Sequence, residues 1–265
     1  MERTLVMGIL NITPDSFADG GKFFSFENAI ERAKEMISEG VDIIDVGGES
    51  TRPGAARVTE QEEIERVVPV VTELVSIGAN VSIDTMRSKT AEAAIGAGAK
   101  YVNDVSGGLA DEKMAKLISR NPNVQYVCMH WRGHSDQMQL KAEYEDVVKD
   151  VKKELDERVA QLLKAKVSPD QIILDPGIGF AKLPEHNWEI LRNIQRFQML
   201  GFPLLVGVSR KRFLGELIGA NDPDDRESAT IALTTELARL GVWAVRTHSV
   251  KAHRDAIAVV EELQK

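Results

Sequence analysis

Cysteine is almost missing from this chain. Its one example, Cys128, sits inside the apolar run 124–129, so an internal disulfide framework is excluded and a reducing compartment suits the protein. A basic excess is also absent: 33 Lys and Arg stand against 41 Asp and Glu, for a formal charge of −8. That balance argues against broad attraction to DNA, RNA or anionic lipid, while leaving room for a local basic pocket. No window reaches the length of a membrane span, and Met1-Glu2-Arg3-Thr4 enters a strand-like run without the basic and apolar segments of a secretion signal. A cytoplasmic location is expected. His130, His134, His186, His248 and His253 lack the paired spacing of zinc enzymes. Neither a low-complexity linker nor a dinucleotide fingerprint interrupts the 265 residues, and no Ser or Cys triad is evident.

What is present is alternation. Apolar runs of strand length, at 5–10, 41–46, 81–83, 101–102, 124–129, 172–174, 203–206 and 243–245, are separated by segments of helical period. Between residues 144 and 164 the pattern is clearest, with Val147, Val148, Val151, Leu155, Val159, Leu162 and Leu163 on one face and Lys and Glu on the other. Eight strands and eight helices in strict succession predict an α/β fold, a (β/α)8 TIM barrel forming a single domain over residues 1–265. A doubly wound open sheet is the alternative.

A parallel barrel collects its chemistry on the face where strands end. The residues leaving the predicted strands are Asn11, Asp45, Asp84, Asn103 with Asp104, His130, Asp175, Ser209-Arg210-Lys211, and Arg246 with His248. The opposite loops, such as 78–80, 96–100 and 240–241, hold mostly turn residues. Any one polar rim residue could be a cap or a surface group; Asp175, ahead of Pro176-Gly177-Ile178-Gly179, could simply cap the turn. Convergence on one rim is the stronger signal. Carboxylates and amides suit a polar heterocycle with N–H donors, and Arg52, Lys211, Arg246 and His248 suit an anion. A substrate combining a heterocycle with phosphate follows, and magnesium held through phosphates and one amide oxygen would leave almost no motif.

Eight motifs lie along the chain: GILNITPDSFADGG at 8–21, GGESTRPGA at 47–55, IDT at 83–85, NDVSGG at 103–108, MHWRG at 129–133, DPGIGFAK at 175–182, SRKRF at 209–213 and RTH at 246–248. With them the chain resembles, from end to end, the dihydropteroate synthases among the pterin-binding barrels. The resemblance implies condensation of 6-hydroxymethyl-7,8-dihydropterin diphosphate with 4-aminobenzoate to give 7,8-dihydropteroate and diphosphate in folate biosynthesis. It implies that Asp84, Asn103, Asp175, Lys211 and Arg246 hold the pterin, with Asp84, Asp175 and Lys211 catalytic. Arg246 would stack on the ring and, with His248, Asn11 and Arg52, take the diphosphate beside Mg2+, for which Asn11 is the expected ligand. Phe17, Thr51, Pro53, Ser209 and Arg210 would shape the aminobenzoate site. Loss of diphosphate from the pterin methylene leaves a cation, so a dissociative substitution assisted by magnesium is expected. A homodimer and inhibition by sulfonamides are further implications. The chain departs from the family at Thr247 and Ser249, where an aliphatic residue and an acid are more usual. A pterin-dependent methyltransferase and a non-catalytic pterin-binding paralogue remain the alternatives.

Overall fold

A computed structural model describes residues 3–12, 21–49, 58–134 and 138–265, with 21–25 as backbone. Eight strands are present there: β1 (Leu5–Asn11), β2 (Ile43–Gly47), β3 (Val81–Asp84), β4 (Tyr101–Asp104), β5 (Gln125–Met129), β6 (Ile172–Asp175), β7 (Leu205–Val206) and β8 (Ala244–Thr247). All pair in parallel, in the order β6-β5-β4-β3-β2-β1-β8-β7. A parallel bridge between Leu174 and Leu204 joins the two ends, and Leu174 N–H donates to the Pro203 carbonyl at 2.9 Å. The sheet is therefore a nearly closed barrel, and the open-sheet alternative is set aside.

Period-two alternation decides which side chains fill it. Met7, Ile43, Val127, Ile173, Leu205 and Ala244 form a small inner cluster, with Leu5, Tyr101 and Trp243 against it. Their neighbours in sequence, among them Val6, Ile44, Tyr126, Ile172, Leu174, Val206 and Val245, point outward into the larger core shared with the helices. Two residues beyond Ile43, Tyr101, Ile173 and Ala244 stand Asp45, Asn103, Asp175 and Arg246. The same alternation that packs one end of the barrel thus delivers polar groups to the other.

The covering helices are α1 (Gly21–Ser38), α2 (Glu60–Ser76), α3 (Ser88–Gly96), α4 (Met114–Arg120), α5 (Val147–Lys164), α6 (Pro184–Arg192), α7 (Ile194–Gln198), α8 (Arg212–Ile218), α9 (Glu227–Arg239) and α10 (Lys251–Leu263). Local chemistry sets their starts: Thr59 Oγ1 accepts from Glu62 N–H at 3.2 Å, and Asp146 Oδ1 from Val148 and Lys149 N–H at 3.1 and 3.0 Å. The stripe of α5 is buried as the spacing predicts, except that Leu163 lies 40% exposed at its edge.

Strict alternation does not hold near the end of the chain. Asn193 interrupts the helical segment after β6, its side chain donating to the Glu189 carbonyl at 2.9 Å, so that segment becomes α6 and α7. After β7 the short α8 ends on Gly219 at φ 73 before α9 begins, a left-handed position that glycine adopts without strain. Several strands also run further than their apolar residues do. β1 reaches Asn11, β3 Asp84, β4 Asp104, β6 Asp175 and β8 Thr247, because a polar side chain, inward or outward, leaves its backbone as free to pair as an apolar one does. At the start of β2 the opposite happens: Asp42 accepts Val6 N–H at 2.8 Å and an Arg3 N–H at 2.8 Å, and the strand begins after it.

Candidate active site

The strand register lines up the polar ends. Asn11 pairs with Gly47, Gly47 with Asp84, and Asp84 with Asn103. A Cβ on Gly47 would lie 3.3 Å from Asn11 Oδ1 and 3.8 Å from Asp84 Oδ2, so the bare backbone at this position lets those two side chains face one another. Arg246, from the strand on the other side of β1, reaches across: its Nε donates to Asp45 Oδ2 and its Nη2 to Asp84 Oδ2, both at 2.6 Å. Asn103 Nδ2 donates to the same Asp45 oxygen at 2.9 Å. Asp84, Asn103 and Arg246 are thus one bonded unit, with Asp45 at its centre.

Asp45 is the group whose role sequence reasoning undervalued. It stood on the expected rim without an assigned function, yet it is fully buried, and its Oδ1 is without a hydrogen-bond partner among the described residues. The signal was its placement two residues past the inward Ile43. Burial drives the Asp84 carboxyl upward; Arg246 opposes that rise and Asp45 adds to it.

A second unit is built on the turn after β6. Asp175 is 6% exposed and its Oδ1 accepts Gly177 N–H at 2.7 Å. Gly177 has φ 68, and a Cβ there would come within 2.6 Å of the His130 carbonyl oxygen. Glycine is required on both counts. Lys211 passes over Gly179, bonds the Ile178 carbonyl, and sets its ammonium 4.9 Å from the centre of the Phe180 ring. Burial raises Asp175, while the charges of Lys211, Lys182 and Arg246 and the Gly177 bond hold it down. Burial likewise lowers Lys211 to about 8, with Asp175 resisting. Carboxylate and ammonium share one pocket wall, and the charge of Arg246 reaches both.

A third unit joins β7 to β8. Ser209 Oγ lies 2.9 Å from His248 Nδ1 and accepts His248 N–H at 3.2 Å. Thr247 Oγ1 sits 3.4 Å from the same hydroxyl and donates to the Ser249 carbonyl at 3.2 Å. Ser249 in turn donates to Glu227, which also meets His253 Nε2 at 2.9 Å. The two departures from the family pattern are therefore tied into a network reaching α9.

Other expected residues lie elsewhere. Arg210, at φ 57, turns its guanidinium to Glu227, with Nε donating at 2.9 Å, and to Asp224. Through Glu227 it joins the third unit at the start of α9. Asp104 points away from the barrel interior, accepting from Ser106 N–H at 2.8 Å, Gly108 N–H at 2.9 Å and Tyr126 O–H at 2.8 Å; it shapes its own loop. The His130 ring is buried behind the rim between Lys182 and Glu154. Phe17, Thr51, Arg52 and Pro53 lie outside the described residues. A separate cleft of about 790 Å³, lined by Leu109, Trp131, Arg132, His134, Leu140 and Lys141 among others, contains none of the expected site residues.

For a divalent cation, the described residues contain no group of three or more His, Cys, Asp or Glu side chains that could hold one. Asn11 Oδ1, facing Asp84 across Gly47, is an amide oxygen of the kind that magnesium takes alongside substrate phosphates and water. The donor set fits that mode and not an all-protein cage.

The pterin binding enzyme family model matches residues 7–248. The dihydropteroate synthase of Mycobacterium leprae (strain TN) is 46% identical over 261 residues, covering 96% of this chain and 92% of that protein. The crystal structure of Xanthomonas albilineans dihydropteroate synthase with 4-aminobenzoic acid superposes with a TM-score of 0.93 at 37% identity, over 99% of this chain and 94% of the other. The same organism's enzyme in complex with 7,8-dihydropteroate gives 0.90 at 34%, with the same coverage. Fold, mouth and family match define the class as that of the pterin-binding barrel enzymes. Within it, the chain belongs to the dihydropteroate synthase family, and it is a transferase.

Proposed function

We propose that the chain condenses 6-hydroxymethyl-7,8-dihydropterin diphosphate with 4-aminobenzoate, giving 7,8-dihydropteroate and diphosphate for folate biosynthesis. The observation that carries this reading is the pair of units at the barrel mouth: Asp84, Asn103 and Arg246 bonded through Asp45, beside Asp175 and Lys211 on the glycine turn. Asp175 takes the N–H donors of the amino-pyrimidine edge, and Lys211 and Asn103 meet the ring's acceptors. Arg246 lies on the ring face, oriented by Asp45 and Asp84. Arg246, His248, Asn11 and Arg52 hold the diphosphate; Asn11 would be the residue that holds Mg2+, which when bound would supply positive charge to the departing anion.

Bond breaking leads in this scheme. As the pterin methylene loses diphosphate, the nearby carboxylates of Asp84 and Asp175 favour the positive charge left on the pterin, while the cationic groups favour the leaving group. The neutral arylamine then attacks, and its proton leaves with the diphosphate or solvent. No strong base is needed, which accords with a mouth built of paired charges. Phe17, Thr51, Pro53 and Arg210 complete the aminobenzoate side, with Ser209 at its border holding His248. Exposed Leu217 and Ile218 on α8 and Val259 and Leu263 on α10 support a homodimer, and the composition supports a cytoplasmic enzyme; among the described residues no helix is long and apolar enough to cross a membrane. The test is to mix the pterin diphosphate, 4-aminobenzoate and Mg2+ with the protein and follow diphosphate release and pteroate formation. Both are expected; the lack of both overturns the reading.

A further inference from the structure

Beneath the 175–182 turn runs a line of polar and charged groups, buried at Lys182 and His130 and partly exposed at Glu154 and Arg132, that the proposed reaction leaves without work. Lys182 is 3% exposed. Its Nζ donates to the Phe180 carbonyl at 3.0 Å and lies 3.0 Å from His130 Nδ1. The other ring nitrogen, Nε2, meets Glu154 Oε2 at 2.9 Å, and Arg132 Nε binds the same carboxylate at 3.1 and 3.2 Å. With a lysine donor at Nδ1, the ring is the neutral tautomer that donates from Nε2. The line therefore reads ammonium, neutral imidazole, carboxylate, guanidinium.

Its position relative to Asp175 is specific. Ala181 has φ 48, an uncommon backbone for alanine, and the chain folds back there so that Lys182 lies under the turn. A Cβ on Gly177 would sit 3.4 Å from Lys182 Nζ, and Gly177 N–H is the donor to Asp175. His130 N–H bonds the Asp175 carbonyl at 2.9 Å. Facing Asp175 are Lys211 and Arg246 toward the mouth and Lys182 from behind. Facing Lys182 are Asp175, Lys211, Arg132, Glu154 and His130. Lys211 and Arg246 must also serve the ligand, so their charge is shared once the site fills. Lys182 is walled off from ligand and water.

We propose that Lys182 is a positioning residue of the pterin site: a second cation beneath the turn that keeps Asp175 ionised while a bound pterin covers it, held there by His130 and Glu154. This rests on the reading of Asp175 as the acceptor for the pterin edge. A carboxylic acid would offer that edge a donor where it needs an acceptor, so affinity falls once Asp175 protonates.

The test is calorimetric binding of 6-hydroxymethylpterin across pH to wild type and Lys182→Gln, which keeps an N–H donor beside His130 and Phe180. The acid limb of affinity should move to higher pH in the variant, with about a tenfold loss on that limb and near wild-type affinity above it. An equal loss at every pH, as for a lysine that only braces the turn, or an unmoved limb, overturns the proposal. Failure of wild type itself to bind the pterin strikes the proposed function instead. Should Lys182→Gln fail to fold, the coupling is read from its other end, since it is reciprocal. In Asp175→Asn without ligand, the 13Cε resonance of Lys182 should titrate at lower pH than in wild type, and identical midpoints overturn the proposal.

Discussion

The two ends of this barrel are made by the same strands and do opposite things. At one end Met7, Ile43, Val127, Ile173, Leu205 and Ala244 fill the interior with apolar side chains. About 6.6 Å further along, two residues at roughly 3.3 Å each, Asp45, Asn103, Asp175 and Arg246 occupy the same inward direction. Burial at the first end is driven by the removal of apolar surface from water. At the second it costs free energy, offset only by pairing each charge. The barrel's packed end therefore carries the penalty of its mouth, and a change at either end should fail in its own way.

The largest expected contrast sets Arg246→Ala against Ile173→Ala. Removing Arg246 leaves Asp45 and Asp84 facing each other with no cation between them, so stability should drop by about 3–5 kcal/mol and kcat/KM by about a hundred- to a thousandfold. Ile173→Ala should cost about 2–5 kcal/mol while the surviving folded enzyme keeps kcat/KM near wild type. Urea unfolding and steady-state kinetics below the unfolding range separate the two. A large loss of kcat/KM in folded Ile173→Ala would break the division between the ends.

A smaller effect concerns pH, and it tests the charged groups behind the mouth. Burial and the Lys182 charge hold His130 at about 4 against an ordinary 6.5. The unfolded chain thus takes up that proton first, and its contribution to stability, full above 6.5, is lost as pH falls to about 4. Burial raises Glu154, but its bonds from His130 and Arg132 outweigh that and bring it to about 2 from 4.5. Glu227 is brought to about 2 by His253, Ser249 and Arg210 against burial. Those two contributions are full above 4.5 and vanish toward 2. On the other side, burial depresses Lys182 from 10.5 to about 7, so the unfolded chain holds the extra proton between those values and stability rises with pH there. Between pH 6.5 and 2 the urea midpoint should descend in two stages on acidification, the first partly offset by Asp84, whose carboxyl burial raises to about 7, and His130→Asn should reduce the descent of the first stage. An unchanged slope in that variant would remove His130 from the account.

Much of this was legible in the chain, for a reason the two ends make plain. Apolar runs announce strands, so all eight were placed, and the polar residues that end them marked the mouth. The runs could not show where pairing stops: Asp84, Asp175 and Arg246 lie within strands because inward polar side chains leave backbone ladders intact. Nor could they show partners. Arg210 and His130 read only as rim residues; that Glu227 and Asp224 pair with the first, and that Lys182, 52 residues on, lies beside the second, the runs do not show. Asp45 and Lys182 were visible as letters in the right segments, but their roles depend on contacts between distant strands and turns that a single sequence does not pair.

The smallest expected effect distinguishes two roles for Ser209. Its hydroxyl touches His248 Nδ1 at 2.9 Å and accepts His248 N–H at 3.2 Å, whereas the family resemblance places it beside 4-aminobenzoate. If the hydroxyl donates to Nδ1, the ring carries its proton on Nε2, the tautomer able to donate to an anion from that atom. Ser209→Ala releases that orientation. Stability should change by about 0.5–1.5 kcal/mol, the net worth of one hydrogen bond. KM for the pterin diphosphate should rise by about threefold to tenfold, the same free energy expressed in binding, with KM for 4-aminobenzoate nearly unchanged. If the aminobenzoate KM rises alone, Ser209 belongs to the second substrate, and the hydrogen bond to His248 serves only to hold the β7 and β8 loops together.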